Sequence, residues 1–374
     1  MESHNLATAG RETPTGQGQA PSVRDTRFVR LDKFGAPSDL IVEAKQLKSS
    51  LQPGEVQVRV EACGLNFADL MGVQGLYPPL PKPPVIMGME CAGTITAVGE
   101  EAKNRKVGER VIGMARHGMW QQYVALPENN AHLMPDSMSF EEGAALPISY
   151  LTAYMMLFRM ANLTSGKSVL IHMAAGGVGI AATQLCKTVP DVTVFGTASA
   201  SKHQRISEIG VTHPIDYRTK DYVEEIRKIS PTGVDIVLDP LGGADSKKGF
   251  DLLKPFGSLI TFGAANCVTG QTKSLCALIK TWRSQLTTTT LKLMQTNKAV
   301  CGFHLSYSDN HHITACMAEL LRLYSEKKIK PCIDSRYHFE EVTKAMQRMH
   351  ERKNIGKIIL LTEPKQKLPD DKEK

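Results

Sequence analysis

Val169-Leu170-Ile171-His172-Met173-Ala174-Ala175-Gly176-Gly177-Val178-Gly179 decides how this chain folds. The apolar run Ser168 to His172 reads as a buried strand, and the glycines after it read as a turn opening a helix over Val178 to Thr188. Glycine at such a turn lets the backbone approach a pyrophosphate, whose charge is then met by the amides of the helix N-terminus. That makes Ala175, Gly176, Gly177 and Val178 candidate cofactor contacts. A lone glycine fingerprint is weak evidence, and a purely structural turn is the alternative. The surrounding β-α-β unit of the right length favours dinucleotide binding.

Strands and helices alternate on the C-terminal side. Strands are expected at Val192 to Thr197, His213 to Asp216, Val234 to Asp239 and Ser258 to Phe262. Helices are expected at Ser201 to Ile209, Tyr222 to Ile229 and Ser246 to Leu253. Buried strands that read as continuous apolar runs between helices predict an α/β fold with a doubly wound parallel sheet. On the N-terminal side the period differs. Arg27 to Arg30, Glu55 to Ala62, Gly93 to Val98 and Arg110 to Met114 read as short strands, with Pro53-Gly54 as a turn between the first two. Ser139-Phe140-Glu141-Glu142 marks the change of period, as an N-cap with acidic residues in the first helical turn. After the sheet come helices at Ile313 to Lys327 and Glu340 to Arg352 and a strand at Lys357 to Leu361, which could close back on the β-rich start.

A chain of 374 residues suits two domains. Its 42% hydrophobic and 22% charged residues are those of a globular protein rather than a fibre or a disordered chain. The apolar stretch Ser168 to Cys186 approaches the length of a membrane span, but its central glycines, His172 and Gln184 argue for a strand, turn and helix instead. The N-terminus lacks an apolar core for a secretory signal, and the eight cysteines show no two-residue spacing of the zinc or redox kind. Reduced thiols and a cytoplasmic location are the expectation. The net charge of +7 does not by itself choose among anionic ligands, membranes and nucleic acid. No nucleic-acid-binding module or basic and aromatic stripe is present, so nucleic acid is not an expected partner.

About 20 residues beyond the glycine turn, an NAD site usually places an Asp or Glu on the ribose 2′-hydroxyl. This chain has Thr197-Ala198-Ser199-Ala200-Ser201-Lys202 there, hydroxyls and a cation that suit the 2′-phosphate of NADPH. A plainer reading, in which Ser201 caps the next helix and Lys202 is solvated, is compatible with it.

Several stretches together resemble the quinone oxidoreductase branch of the medium-chain dehydrogenases. They are Cys63-Gly64-Leu65-Asn66-Phe67-Ala68-Asp69-Leu70, Gly75-Leu76-Tyr77-Pro78, Gly88-Met89-Glu90-Cys91-Ala92-Gly93 and the glycine turn itself. His117-Gly118-Met119-Trp120, Thr197 to His203, Thr212 to Tyr217 and Cys301-Gly302-Phe303-His304-Leu305 resemble the synaptic vesicle membrane protein subgroup of that branch. The resemblance implies a Rossmann sheet and a GroES-like β-rich domain formed from both ends of the chain. The expected division is a disordered tail at 1–25, GroES-like residues 26–148, a Rossmann NADP-binding domain at 149–308, a return to the GroES-like domain at 309–363 and a charged tail at 364–374.

By the same resemblance, Ser199, Lys202 and Tyr217 would meet the adenosine and its 2′-phosphate. Asn66, Asp69, Tyr77 and Thr152 would line the nicotinamide and substrate cleft, and Phe262, Gly263, Phe303 and the Gly356-Lys357 pair would make later cofactor contacts. Phe303 as core, and Asp69 as a backbone partner only, are the plain alternatives. Zinc alcohol dehydrogenases carry Gly-His-Glu where this chain reads Gly88-Met89-Glu90, and their cysteine-rich structural lobe is missing here, so no metal is expected. Without a Lewis acid the acceptor must already be electrophilic, a quinone or an α,β-unsaturated carbonyl, with Asn66 and Tyr77 positioning its oxygen. The family commonly forms homodimers through Rossmann sheet edges, and Ala299 to Leu305 is the candidate edge strand here.

A second function class is a peripheral, vesicle-associated protein in which NADPH binding is structural or regulatory. Leu252 to Ser308 contains no Asp or Glu but holds Lys254, Lys273, Lys280, Arg283, Lys292 and Lys298. Leu275, Leu278, Ile279 and Trp282 among those cations suit reversible contact with an anionic membrane. The alternative packs this segment on the cleft or in a dimer interface.

Overall fold

Strand Ser168–Ile171 is buried at every position and lies inside a six-stranded parallel sheet of the computed structural model, which describes residues 25–47 and 50–363. Complete burial of Val169, Leu170 and Ile171 contributes on the order of 1.5–3 kcal/mol each, which is why this strand shows no alternation in sequence. Across the sheet the strands run His213–Asp216, Thr193–Ala198, Ser168–Ile171, Val234–Asp239, Leu253–Thr261 and Ala299–Gly302. Numbered along the chain that order is 3-2-1-4-5-6, the doubly wound arrangement. Its direction reverses between Ser168–Ile171 and Val234–Asp239, where a crevice opens at the carboxyl ends of the strands.

The second body is a seven-stranded sheet. Strand Glu55–Leu65 pairs antiparallel with Glu90–Val98, with Tyr123–Pro127 and with Lys357–Leu361. Arg110–Met114 and Ala131–Leu133 extend one side, and Ile333–His338 extends the other beside Lys357–Leu361. The two ends of the chain therefore build one sheet, and the expected α/β architecture is the observed one. A small sheet of Leu40–Gln46, Asp25–Leu31 and Val85–Ile86 packs alongside. Between the sheets, fully buried Trp120 donates Nε1–H to the Gly64 carbonyl at 3.1 Å.

At the change of period, Ser139 Oγ accepts the Glu142 amide at 3.1 Å and Glu142 accepts the Ser139 amide at 3.0 Å, a reciprocal cap on helix Phe140–Ala145. Several local expectations are corrected. Strand Leu40–Gln46 intervenes before Pro53-Gly54, so that turn does not join the first two strands directly. Ser201 lies inside a 3-10 turn, Ala200–Lys202, with its hydroxyl 3.4 Å from that of Ser199, and does not cap helix His203–Ile209. Asp25, placed in the tail, opens the first strand, while the tails read at residues 1–24 and 364–374 lie outside the described residues. The apolar stretch Ser168 to Cys186 divides into strand Ser168–Ile171 and helix Gly177–Cys186, and no helix among the described residues is long and apolar enough to cross a membrane.

Candidate active site

At the crevice the glycine turn is held from both sides. Gly176 pairs with Gly356, whose amide donates to the Ala175 carbonyl at 2.8 Å, so the turn is pinned to the segment that leads into Lys357–Leu361. Gly177 starts the helix, and a Cβ there would stand 2.6 Å from Ser149 Oγ. Met173 enters the turn at φ 53°, a left-handed conformation that a non-glycine residue adopts at a cost. These contacts leave the helix amides facing one cleft of about 1560 Å³.

Of the residues singled out from the sequence, Asn66, Tyr77, Thr152, Ala175, Gly176, Gly177, Val178, Ser199, Lys202, Tyr217, Phe262, Gly263, Phe303, Gly356 and Lys357 line this cleft, while Asp69, buried behind Asn66, does not. At one end, Lys202 Nζ donates to the carbonyls of Arg352 and Asn354, each at 2.7 Å. Burial lowers its pKa; Asp334 opposes this, and Arg218, Arg348 and Arg352 lower it further. Arg218 and Arg352 reach the same cleft, so a group of cations gathers beside Tyr217 and Ser199. Sequence reasoning missed both arginines. Arg218 directly follows Tyr217 and was within reach, but Arg352 arrives from 150 residues beyond Lys202 and carries no local signal.

At the other end, Tyr77 crosses from the β-rich body to the Rossmann body. Its hydroxyl lies 3.1 Å from Ser306 Oγ and its ring stacks on His304, with centroids 5.3 Å apart. Burial raises the Tyr77 pKa and lowers that of His304, disfavouring the charged form of each ring. Phe303 lines the cleft, and its amide donates to the Thr261 carbonyl at 2.9 Å. His304 and Ser306, like the arginines, were not picked out from sequence.

The floor of this end is ionic. Lys357 Nζ lies 2.5 Å from Glu90 Oε1 and 2.5 Å from Asn66 Oδ1, so its ammonium is engaged by protein, while its stem passes beneath Gly177. Asp69 accepts the Asn66 amide at 2.8 Å, as the plain reading had it. Its pKa is raised to about 7 by burial, against that hydrogen bond and nearby Lys357. Directly after strand Ser168–Ile171, buried His172 has its pKa lowered by burial, with Asp239 and Asp245 opposing, and its ring meets that of Tyr222 edge-on at 4.7 Å.

The donor set does not fit catalytic zinc. Burial pushes the Cys63 thiol well above its usual range, and its Sγ is committed to the Met119 carbonyl at 3.2 Å. Met89 stands at the histidine position, and the Glu90 carboxylate already faces an ammonium. A thiolate, an imidazole and a free carboxylate are what zinc would require.

A doubly wound sheet, a GroES-like β body and a cleft between them define a medium-chain dehydrogenase/reductase. Residues 52–136 match the alcohol dehydrogenase GroES-like domain family, and residues 209–360 match the zinc-binding dehydrogenase family. A synaptic vesicle membrane protein VAT-1 homologue of Danio rerio is 60% identical over 90% of this chain and 70% of its own. The crystal structure of a human VAT-1 homologue-like protein superposes with a TM-score of 0.79 at 41% identity, covering 92% of this chain and all of that one. A quinone oxidoreductase of Pseudomonas syringae superposes at 0.78 with 28% identity, over 90% of this chain and 100% of its own. The chain belongs to the VAT-1 homologue family, in the quinone oxidoreductase branch of that superfamily.

Proposed function

We propose that this oxidoreductase binds NADPH and delivers hydride to a quinone or an α,β-unsaturated carbonyl, without a metal. The observation that carries the reading is a single cleft running from the cations around Lys202 to Asn66 and Tyr77. At about 1560 Å³ it exceeds the roughly 300–1,000 Å³ usual for one small ligand, as a site for a dinucleotide and a second substrate must. Lys202, Arg218 and Arg352 answer the charge of a 2′-phosphate, and the amides after Gly176 answer the pyrophosphate. Tyr217 and Ser199 flank the adenosine, while Thr152, Phe262, Gly263 and Phe303 shape the nicotinamide end.

NADPH, when bound, supplies the hydride. Asn66 and Tyr77 orient the acceptor carbonyl, and the surrounding Phe67, Met71, Leu76 and Phe303 limit water around it. A homodimer through the edge strand Ala299–Gly302, half-buried in the single chain, belongs to the same reading. The test is NADPH oxidation followed at 1,4-naphthoquinone and at 1-octen-3-one. Acceptor-dependent turnover is expected with NADPH and only weakly with NADH; NADPH binding with no turnover on a broad acceptor panel would overturn the reading.

One observation favours peripheral membrane contact in addition. Helices Leu275–Arg283 and Thr290–Thr296 leave Leu275, Trp282 and Met294 more than 65% exposed, beside Lys280, Arg283 and Lys292 and within a stretch free of carboxylates. Such a surface suits anionic lipid, reversibly and in a salt-sensitive way. Flotation with phosphatidylserine vesicles is expected for the wild type and lost in Trp282→Ala/Lys280→Glu. Undiminished flotation of that double variant removes the reading.

A further inference from the structure

Asn66 stands at the N-cap of helix Phe67–Val73, on the wall of the cleft and 8% exposed. A side-chain amide offers one accepting oxygen and two donating hydrogens, so its orientation decides what it can bind. Here two buried charges set that orientation. Lys357 donates to Asn66 Oδ1 at 2.5 Å and to Glu90 Oε1 at 2.5 Å, and Asn66 Nδ2 donates to the same Glu90 oxygen at 2.7 Å. The three contacts close a ring. Reversing the amide would press its NH₂ against the ammonium and its oxygen against the carboxylate, where the two side chains are 5% and 0% exposed and water screens little.

A count of hydrogens shows what the ring leaves over. The other Glu90 oxygen accepts the Ile148 amide at 2.9 Å, and Ser149 Oγ lies 3.5 Å from Lys357 Nζ. In such a ring Asn66 uses the Nδ2 hydrogen on the side of its own oxygen. Its second Nδ2 hydrogen leaves from the outer edge of the amide and has no partner among the described residues.

We propose that Lys357 and Glu90 are positioning residues that hold Asn66 as a hydrogen-bond donor to the carbonyl oxygen of the acceptor. The proposal rests on the reductase reading and names how that site is held. For an enone, the new C–H bond forms at the β-carbon with the pair of electrons carried by the hydride, and the π electrons move onto oxygen as an enolate. NADPH is thereby oxidised to NADP⁺, and a proton from water completes the reduced ketone. Asn66 meets the oxygen as it becomes negative, and contact with the ammonium polarises its amide further.

Removing one charge alone would strand the other in the interior, so the variant to make is the neutral pair Glu90→Gln/Lys357→Met. It is compared with Asn66→Ala and with the triple variant in NADPH oxidation by 1-octen-3-one, with NADPH affinity read separately by fluorescence. Loss of one oxyanion donor costs on the order of 100-fold in kcat, and loss of its orientation about tenfold. At saturating NADPH the neutral pair is expected to turn over about tenfold more slowly than wild type, while the triple variant is no slower than Asn66→Ala. Wild-type turnover in the neutral pair, or losses that multiply in the triple variant, would overturn the proposal while leaving the reductase reading intact. A wild-type protein silent on every acceptor would overturn both. Glu90→Gln/Lys357→Gln carries the same expectation if the first pair does not fold.

Discussion

Gly179→Val is expected to abolish NADPH binding and lower the melting temperature, because position 179 has no room for a side chain. A Cβ there would stand 2.5 Å from the Met173 carbonyl oxygen and 2.6 Å from the Ala174 Cα, both backbone atoms of the turn itself. Neither can rotate away. The helix Gly177–Cys186 would have to lift from the strand end, and its first amides would leave the place where a pyrophosphate is to be met. Overpacking of this kind costs about 1–3 kcal/mol even where side chains can adjust, and displaced amides lose several charge-assisted bonds besides. An NADPH dissociation constant raised by at least about 100-fold is the expected reading in a fluorescence titration. Gly176→Ala is the control: its Cβ would lie 3.3 Å from the Met173 oxygen at an ordinary φ of −78°, so a mild effect is expected. Valine at 179 with unchanged affinity would mean that the cofactor does not lie on this turn.

The glycine turn was legible because its signal is local: three apolar residues, then a turn, then a helix, all within one short stretch. The β-α alternation was legible for the same reason, with Tyr222–Ile229 and Val234–Asp239 read at their observed bounds. Strand Leu40–Gln46 was not, because only Leu40 is buried and an edge strand with little burial leaves no alternation to read. Helix Pro147–Tyr154 passes at Met155–Met160 into a wider π-helical turn, and with six of its eight residues buried and none exposed it lacks the polar face from which a helical period is recognised. At the site, what escaped was pairing across long separations. Lys357 is legible by resemblance as a cofactor contact, but its ion pair with Glu90, 267 positions away, belongs to the antiparallel register that brings Ile358 opposite Leu65. Charge in a sequence says which residues need a partner; only the sheet says which partner.

On the proposed NADPH reading the cofactor preference rests on Lys202, and Lys202→Glu is expected to reverse it. In the wild type the ammonium is held by the Arg352 and Asn354 carbonyls, which spend two of its three hydrogens and aim the cation without neutralising it. A 2′-phosphate would take the third. A hydrogen bond to a charged group contributes about 1.5–3 kcal/mol, and replacing the cation by a carboxylate adds repulsion to that loss. NADPH affinity should therefore fall by about 100-fold or more. NADH should bind no worse than before, because a carboxylate in this neighbourhood can accept the ribose 2′-hydroxyl as acidic residues do in NAD sites. Lys202→Ala separates the two contributions, with weaker NADPH binding, no gain for NADH and a shallower dependence on salt. Parallel fluorescence titrations of both cofactors at two ionic strengths decide the matter. Equal weakening of NADPH and NADH would mean that Lys202 only braces the Arg352–Asn354 turn, and the discrimination would then have to come from Arg218 and Arg352.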